Sequence, residues 1–126
     1  MKNIVTSFCI FISLLIFMTW SLNYLNKITL EIEQKNDVIE DLVNENKWEE
    51  SYEEVLSLLD FINENSTKMS IFINHQEMDL IESEIYRLTQ FVKNKNLDET
   101  LSSLHFIKFS VDSVKKLQKV NIKNIF

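Results

Sequence analysis

Two hydrophobic patterns divide the chain. Between positions 3 and 26 no side chain is charged, and residues 4–22, IVTSFCIFISLLIFMTWSL, are almost continuously apolar. From position 25 onward apolar residues instead recur every three or four positions, the period of a helix that buries one face.

In the second region Leu25, Ile28, Ile32, Ile39 and Leu42 step at helical spacing with Lys35 in the one gap, which predicts a helix to about Asn44. Trp48, Tyr52, Val55, Leu59, Ile62, Met69 and Ile73 continue the beat through a second helix, with Asn46 as its expected N-cap and Glu49 and Glu50 favouring the positive end of its dipole. Met78, Ile81, Ile85, Leu88 and Val92 predict a third, ended by the KNKN of residues 93–96. Leu97, Leu101, Leu104, Ile107, Val111, Val114 and Leu117 predict a fourth, capped by Asn96. The starts of the second and fourth helices align at a spacing of 49, Trp48 with Leu97 and Val55 with Leu104. Such spacing raises the possibility of a duplicated helical hairpin of the tetratricopeptide kind.

The apolar run changes the setting. Nineteen residues at 1.5 Å each span about 28 Å, close to the ~30 Å hydrocarbon core of a bilayer, and Trp20 and Tyr24 stand at its far end, where interfacial aromatics collect. A cleaved secretory signal requires small residues at the cleavage site, and MTWSLNYLNK offers bulky ones. The expectation is an uncleaved signal anchor over residues 1–24 and an extracytoplasmic helical domain over residues 25–126. Lys2 lies in a short basic amino terminus of the kind that stays inside. A secreted form with a cleaved signal is the alternative.

Composition narrows the chemistry. The chain has no glycine and no proline, where average usage of about 7% and 5% would give roughly nine and six. Hairpin turns, phosphate-cradling loops, dinucleotide fingerprints and the nucleophile elbow depend on glycine, so an all-α chain with open turns is expected and those sites are excluded. The lone Cys9 lies within the apolar run, where a thiol acts as a small hydrophobe. Residues 31–64 carry twelve acids and two lysines, a net of −10, whereas residues 105–126 carry five lysines and one acid, a net of +4. This asymmetry suggests that the last helix packs beside the acidic first or second. No basic patch with interleaved aromatics occurs, so nucleic acid is not an expected partner.

His75, Glu77 and Asp79 form the densest chemical cluster. On a helix His75 and Asp79 share a face while Glu77 points nearly opposite, so the motif supplies two metal ligands where zinc sites use three or four. The main expectation is a helix start, with Asn74 or His75 at the cap and the acids against the dipole. A metal-dependent hydrolase using His75 and Asp79 is the rival, and no metal or other cofactor is otherwise implied. Phe106 and Phe109 fall off the main stripe of the last helix and fit a second buried face or an exposed patch for a partner.

With the anchor, NKWEE, NHQEMDLIE and the ending VNIKNIF, the chain resembles the DUF4363 family, small membrane proteins of the clostridial type with a domain of unknown function. The resemblance rests on the apolar span, Trp48 to Glu50, the His75 to Asp79 element and the terminal Asn124 to Phe126. Members often carry a histidine near the position of Ser113, which this chain lacks. The resemblance implies architecture and setting but no reaction. The overall expectation is therefore an N-terminal transmembrane helix continuing into, or followed by, a small antiparallel bundle of three to four helices, with a binding or scaffolding role at the cell envelope. Trp48, His75, Glu77, Phe106, Phe109 and Phe126 are candidate contacts for a protein partner. A homodimer through the seam of Leu25 to Leu42 is the further possibility.

Overall fold

A computed structural model describes the backbone of residues 1–125 and the side chains of residues 1–117 and Lys119. The described residues form four helices and no strand: α1 (Lys2–Asn44), α2 (Trp48–Met69), α3 (His75–Lys93) and α4 (Leu97–Ile125). Packing runs from α1 to α2, α2 to α3, α3 to α4 and α4 back to α1, which closes an up-down-up-down bundle.

The helix α1 has two lives. Its 43 residues form one continuous rod, about 65 Å long at 1.5 Å per residue. The first buried side chain is Leu25, and from there Ile28, Ile32, Ile39 and Val43 enter the common core. Its N-terminal half projects beyond the bundle, and the apolar window there is long enough to cross a membrane and buries nothing within the protein. Below, the end of the bundle from which this run projects is called proximal, and the opposite end distal.

The expected stripes form the core with local shifts. In α3 the predicted set Met78, Ile81, Ile85, Leu88 and Val92 is buried as a whole. In α1 the gap is filled by Asn36 rather than Lys35, and Val43 rather than Leu42 enters the core. Asn36 is tolerated because its Nδ2 donates to the Leu104 carbonyl at 3.0 Å, a bond that fixes α4 against α1. Lys35 turns outward, its ammonium 3.3 Å from the Ser57 hydroxyl and over the Phe61 ring. Leu58, off the predicted α2 stripe, is buried, while Trp48, Tyr52 and Leu59 pack against the core only in part. In α4 the stripe ends Leu97 and Leu117 are exposed. Leu25, Ile28, Ile32 and Ile39 of the first-helix seam are buried in this chain's own core, where α1 packs on α2 and α4.

The charge asymmetry resolves as packing of α4 on α1. Lys115 Nζ pairs with Glu33 at 2.9 Å and Lys108 with Asp37 at 3.8 Å. Both Lys115 and Glu33 are mostly buried, so their attraction is less screened than that of the exposed Lys108 pair.

The two hairpins share a register. Buried Ile32, Asn36, Ile39 and Val43 correspond, at the spacing of 49, to buried Ile81, Ile85, Leu88 and Val92; Ser51, Val55, Leu58 and Ile62 correspond to Thr100, Leu104, Ile107 and Val111. Their turns match as well. Asn46 (φ 62°) and Lys95 (φ 55°) take left-handed conformations. The Asn46 and Lys95 amides donate to the Val43 and Val92 carbonyls, and the Lys47 and Asn96 amides to those of Leu42 and Phe91, which makes both turns Schellman motifs. Asn46 thus closes α1 instead of capping α2, and the α2 start has no side-chain cap. The hairpins close on each other as a bundle rather than stacking as tetratricopeptide units do.

Candidate functional site

Both Schellman turns lie at the distal end, so the start of α2 meets the end of α3 there. Half-buried Trp48 lines a groove of about 350 Å³ with Glu49, Tyr52, Glu53, Val92, Lys93 and Lys95. A second recess of about 310 Å³, which shares Trp48, Glu49 and Lys95 with the first, adds Asn46, Lys47 and Glu50. An aromatic side chain therefore lies among carboxylates of the first hairpin, Glu49, Glu50 and Glu53, and cations of both, Lys47, Lys93 and Lys95. Glu45 lies 3.1 Å from Lys47, and this hydrogen bond and its charge push the Lys47 ammonium above its ordinary value. An indole with a polar rim is the kind of surface on which protein contacts concentrate their energy.

The other sequence candidates lie elsewhere. His75 opens α3 at the proximal end and is exposed, and the cap beneath it is Asn74, whose Oδ1 accepts from the Gln76 amide at 3.0 Å. Glu77 lies in that first turn as the dipole favours. Asp79 is exposed, and among the described residues no group of three or more His, Cys, Asp or Glu side chains is placed to hold a metal ion. His75 and Asp79 therefore remain a two-ligand pair without a third.

Phe109 is 70% exposed, so the last helix does not bury a second aromatic face. Phe106 lines a groove of about 340 Å³ between α3 and α4 with Leu80, Glu84, Arg87 and Phe91. There Arg87 bonds Glu84 at 3.2 Å and lies over the Phe91 ring. The matching groove between α1 and α2, about 420 Å³, holds Lys35, Ser57 and Phe61. At the spacing of 49, Lys35 occupies the place of Glu84 and Ser57 that of Phe106, so the two grooves have similar positions but differ in the residues at those places; acids outnumber cations in both linings, with Glu53, Asp60 and Glu64 in the first and Glu84 and Glu99 in the second. Phe126 lies outside the described residues.

Two features were not read from the sequence. Lys93 and Lys95 join Trp48 only because two turns are adjacent in space; the matching helix starts at a spacing of 49 were the available signal. Phe72 is the second: its ring packs within 6.4 Å of Phe17, Trp20 and Tyr24. The signal there was the break in the apolar beat between Ile73 and Met78.

Fold and surface together define a small helical bundle carried on a single helix of membrane-crossing length. The chain belongs to the family described as Domain of unknown function (DUF4363), whose model matches residues 19–125. That match takes in the whole bundle and the last turn of the apolar run. No curated protein and no solved structure matches the chain.

Proposed function

We propose that this protein is anchored by residues 4–22, holds its bundle outside the cytoplasm, and acts by binding or scaffolding a protein partner at the cell envelope rather than by catalysis. The observation that carries the reading is the Trp48 groove at the distal end. The rod of α1 runs without a break from the apolar run into the core, so the bundle is held at a fixed place relative to the span. The 22 residues of α2 then separate the two ends of the bundle by about 33 Å, which carries Trp48 clear of the lipid. The short basic amino terminus supports the orientation.

One experiment reads both parts of the proposal. In the full chain with Cys9→Ser, a cysteine replaces Lys93 beside the groove or, as control, exposed Asn63 on α2. A membrane-impermeant maleimide carrying a photo-crosslinker is added to intact cells. Labelling at both positions is expected, with a discrete protein adduct from position 93 alone, lost on adding Trp48→Ala. Absence of labelling overturns the orientation; labelling without a Trp48-dependent adduct overturns the binding role.

A further inference from the structure

The connection between α2 and α3, residues 70–74, reads SIFIN and returns the chain at the proximal end. It is tightly tied to its own backbone: the Phe72 and Ile73 amides both donate to the Met69 carbonyl, at 3.0 and 2.8 Å, and the Ser70 hydroxyl donates to that of Thr67. Ile73 is turned into the core at 5% exposure, whereas neighbouring Ile71 is 69% exposed. A polar turn is the ordinary solution for a connection in water. This one presents isoleucine and phenylalanine.

The position of Phe72 explains that choice. Its ring lies 5.9 Å from Tyr24, 6.3 Å from Trp20 and 6.4 Å from Phe17. Phe17 is five residues inside the end of the apolar run, about 7.5 Å along the helix axis from Leu22. The loop therefore reaches down beside α1 to the level at which the run ends. Trp20 also stacks on Tyr24 with ring centres 5.8 Å apart, so four aromatic rings from two segments form one collar around that level. Aromatic rings of this kind favour the boundary between headgroups and acyl chains. Exposed Lys27 and Lys68 flank the collar on the bundle side, where long cationic side chains reach the headgroups.

We infer that the α2–α3 connection is a second membrane-contact element: Ile71 and Phe72 seat the bundle in the lipid interface beside the span. The inference rests on the reading of residues 4–22 as the anchor. Its occupant is the bilayer because the patch is continuous with the span, through the Phe72 contacts with Phe17 and Trp20. The span alone fixes the chain to the membrane, and the loop adds a second point of contact off the α1 axis. Two points define the tilt of the bundle and keep the Trp48 end directed away from the lipid.

The test uses the full chain with Cys9→Ser, reconstituted in vesicles of phosphatidylcholine and phosphatidylglycerol, with one fluorophore-labelled cysteine at a time. Ile71→Cys probes the loop, Phe11→Cys the span and Leu97→Cys the distal end, all at exposed positions. Lipids brominated on their acyl chains should quench positions 11 and 71 and leave 97 unchanged, with the emission at 71 shifted to the blue. Quenching at 11 with position 71 behaving like 97 overturns the inference while the anchor stands. An unquenched position 11 overturns the anchor reading and the inference with it.

Discussion

The α1–α2 and α3–α4 hairpins solve one packing problem with different residues. Where the first buries Asn36, the second buries Ile85; where the first bends through Asn46, the second uses Lys95; and the buried hydroxyls of Ser51 and Thr100 occupy matching places. Among the described residues, the Ser51 and Thr100 side-chain oxygens have no hydrogen-bond partner. Agreement at so many positions shows that the interior dictates residue size and shape at each level, while polarity differs at Asn36, whose Nδ2 is satisfied by the Leu104 carbonyl and whose Oδ1, among the described residues, has no partner. The comparison also shows where the hairpins differ. Only the first extends into the apolar run, and at the position where its groove has Ser57 the groove of the second has Phe106.

The largest test of equivalence is in the core. Ile39→Ala and Leu88→Ala, matched at the spacing of 49 and both fully buried, should each lower stability by about 2–5 kcal/mol. Urea unfolding of the full chain in detergent, followed by circular dichroism, measures both; a small loss from one beside a large loss from the other breaks the symmetry of the two hairpins. A smaller effect is expected at the unpartnered hydroxyls. Ser51→Ala and Thr100→Val remove a desolvated oxygen and should raise stability by about 1 kcal/mol each, read as higher urea midpoints. Lower midpoints would mean that these hydroxyls are satisfied in solution.

The smallest effects are at the turns, where the hairpins should differ. A lysine held at φ 55° bears the steric cost of the left-handed region, whereas asparagine enters it more readily. Lys95→Gly should therefore stabilise by up to about 1 kcal/mol and Asn46→Gly by only a few tenths. Equal gains would remove the distinction between the two turns.

The absence of glycine and proline, the 3-and-4 beat and the charge-free run made the four helices and the protruding first helix legible, since each depends on local sequence. The apolar buried set of α3 was legible for the same reason, since its stripe is uninterrupted, whereas buried Thr89 beside it was not. Misreadings cluster where a polar residue enters the interior or an apolar one leaves it. Asn36, Ser51, Thr100 and Ser103 are buried, and their burial depends on what the facing helix supplies, which no single segment records. The turn at Asn46 was misassigned because asparagine serves equally at an N-cap and at a left-handed helix end.

The same division holds for function. His75, Glu77 and Asp79 are close in sequence and lie in the first turns of α3, the helix start that was the main expectation, with His75 and Asp79 exposed. Trp48 acquires its neighbours Lys93 and Lys95, and Phe72 acquires Trp20, from segments about 45 to 52 residues away. Periodicity and composition determined the helices, the apolar span and the acidic and basic segments, because those are properties of consecutive residues. Closure of the bundle decided which stripe residues are buried, that the basic α4 lies beside α1 rather than α2, with Lys115 on Glu33, and which aromatic rings share each end, because those depend on the spatial register between helices.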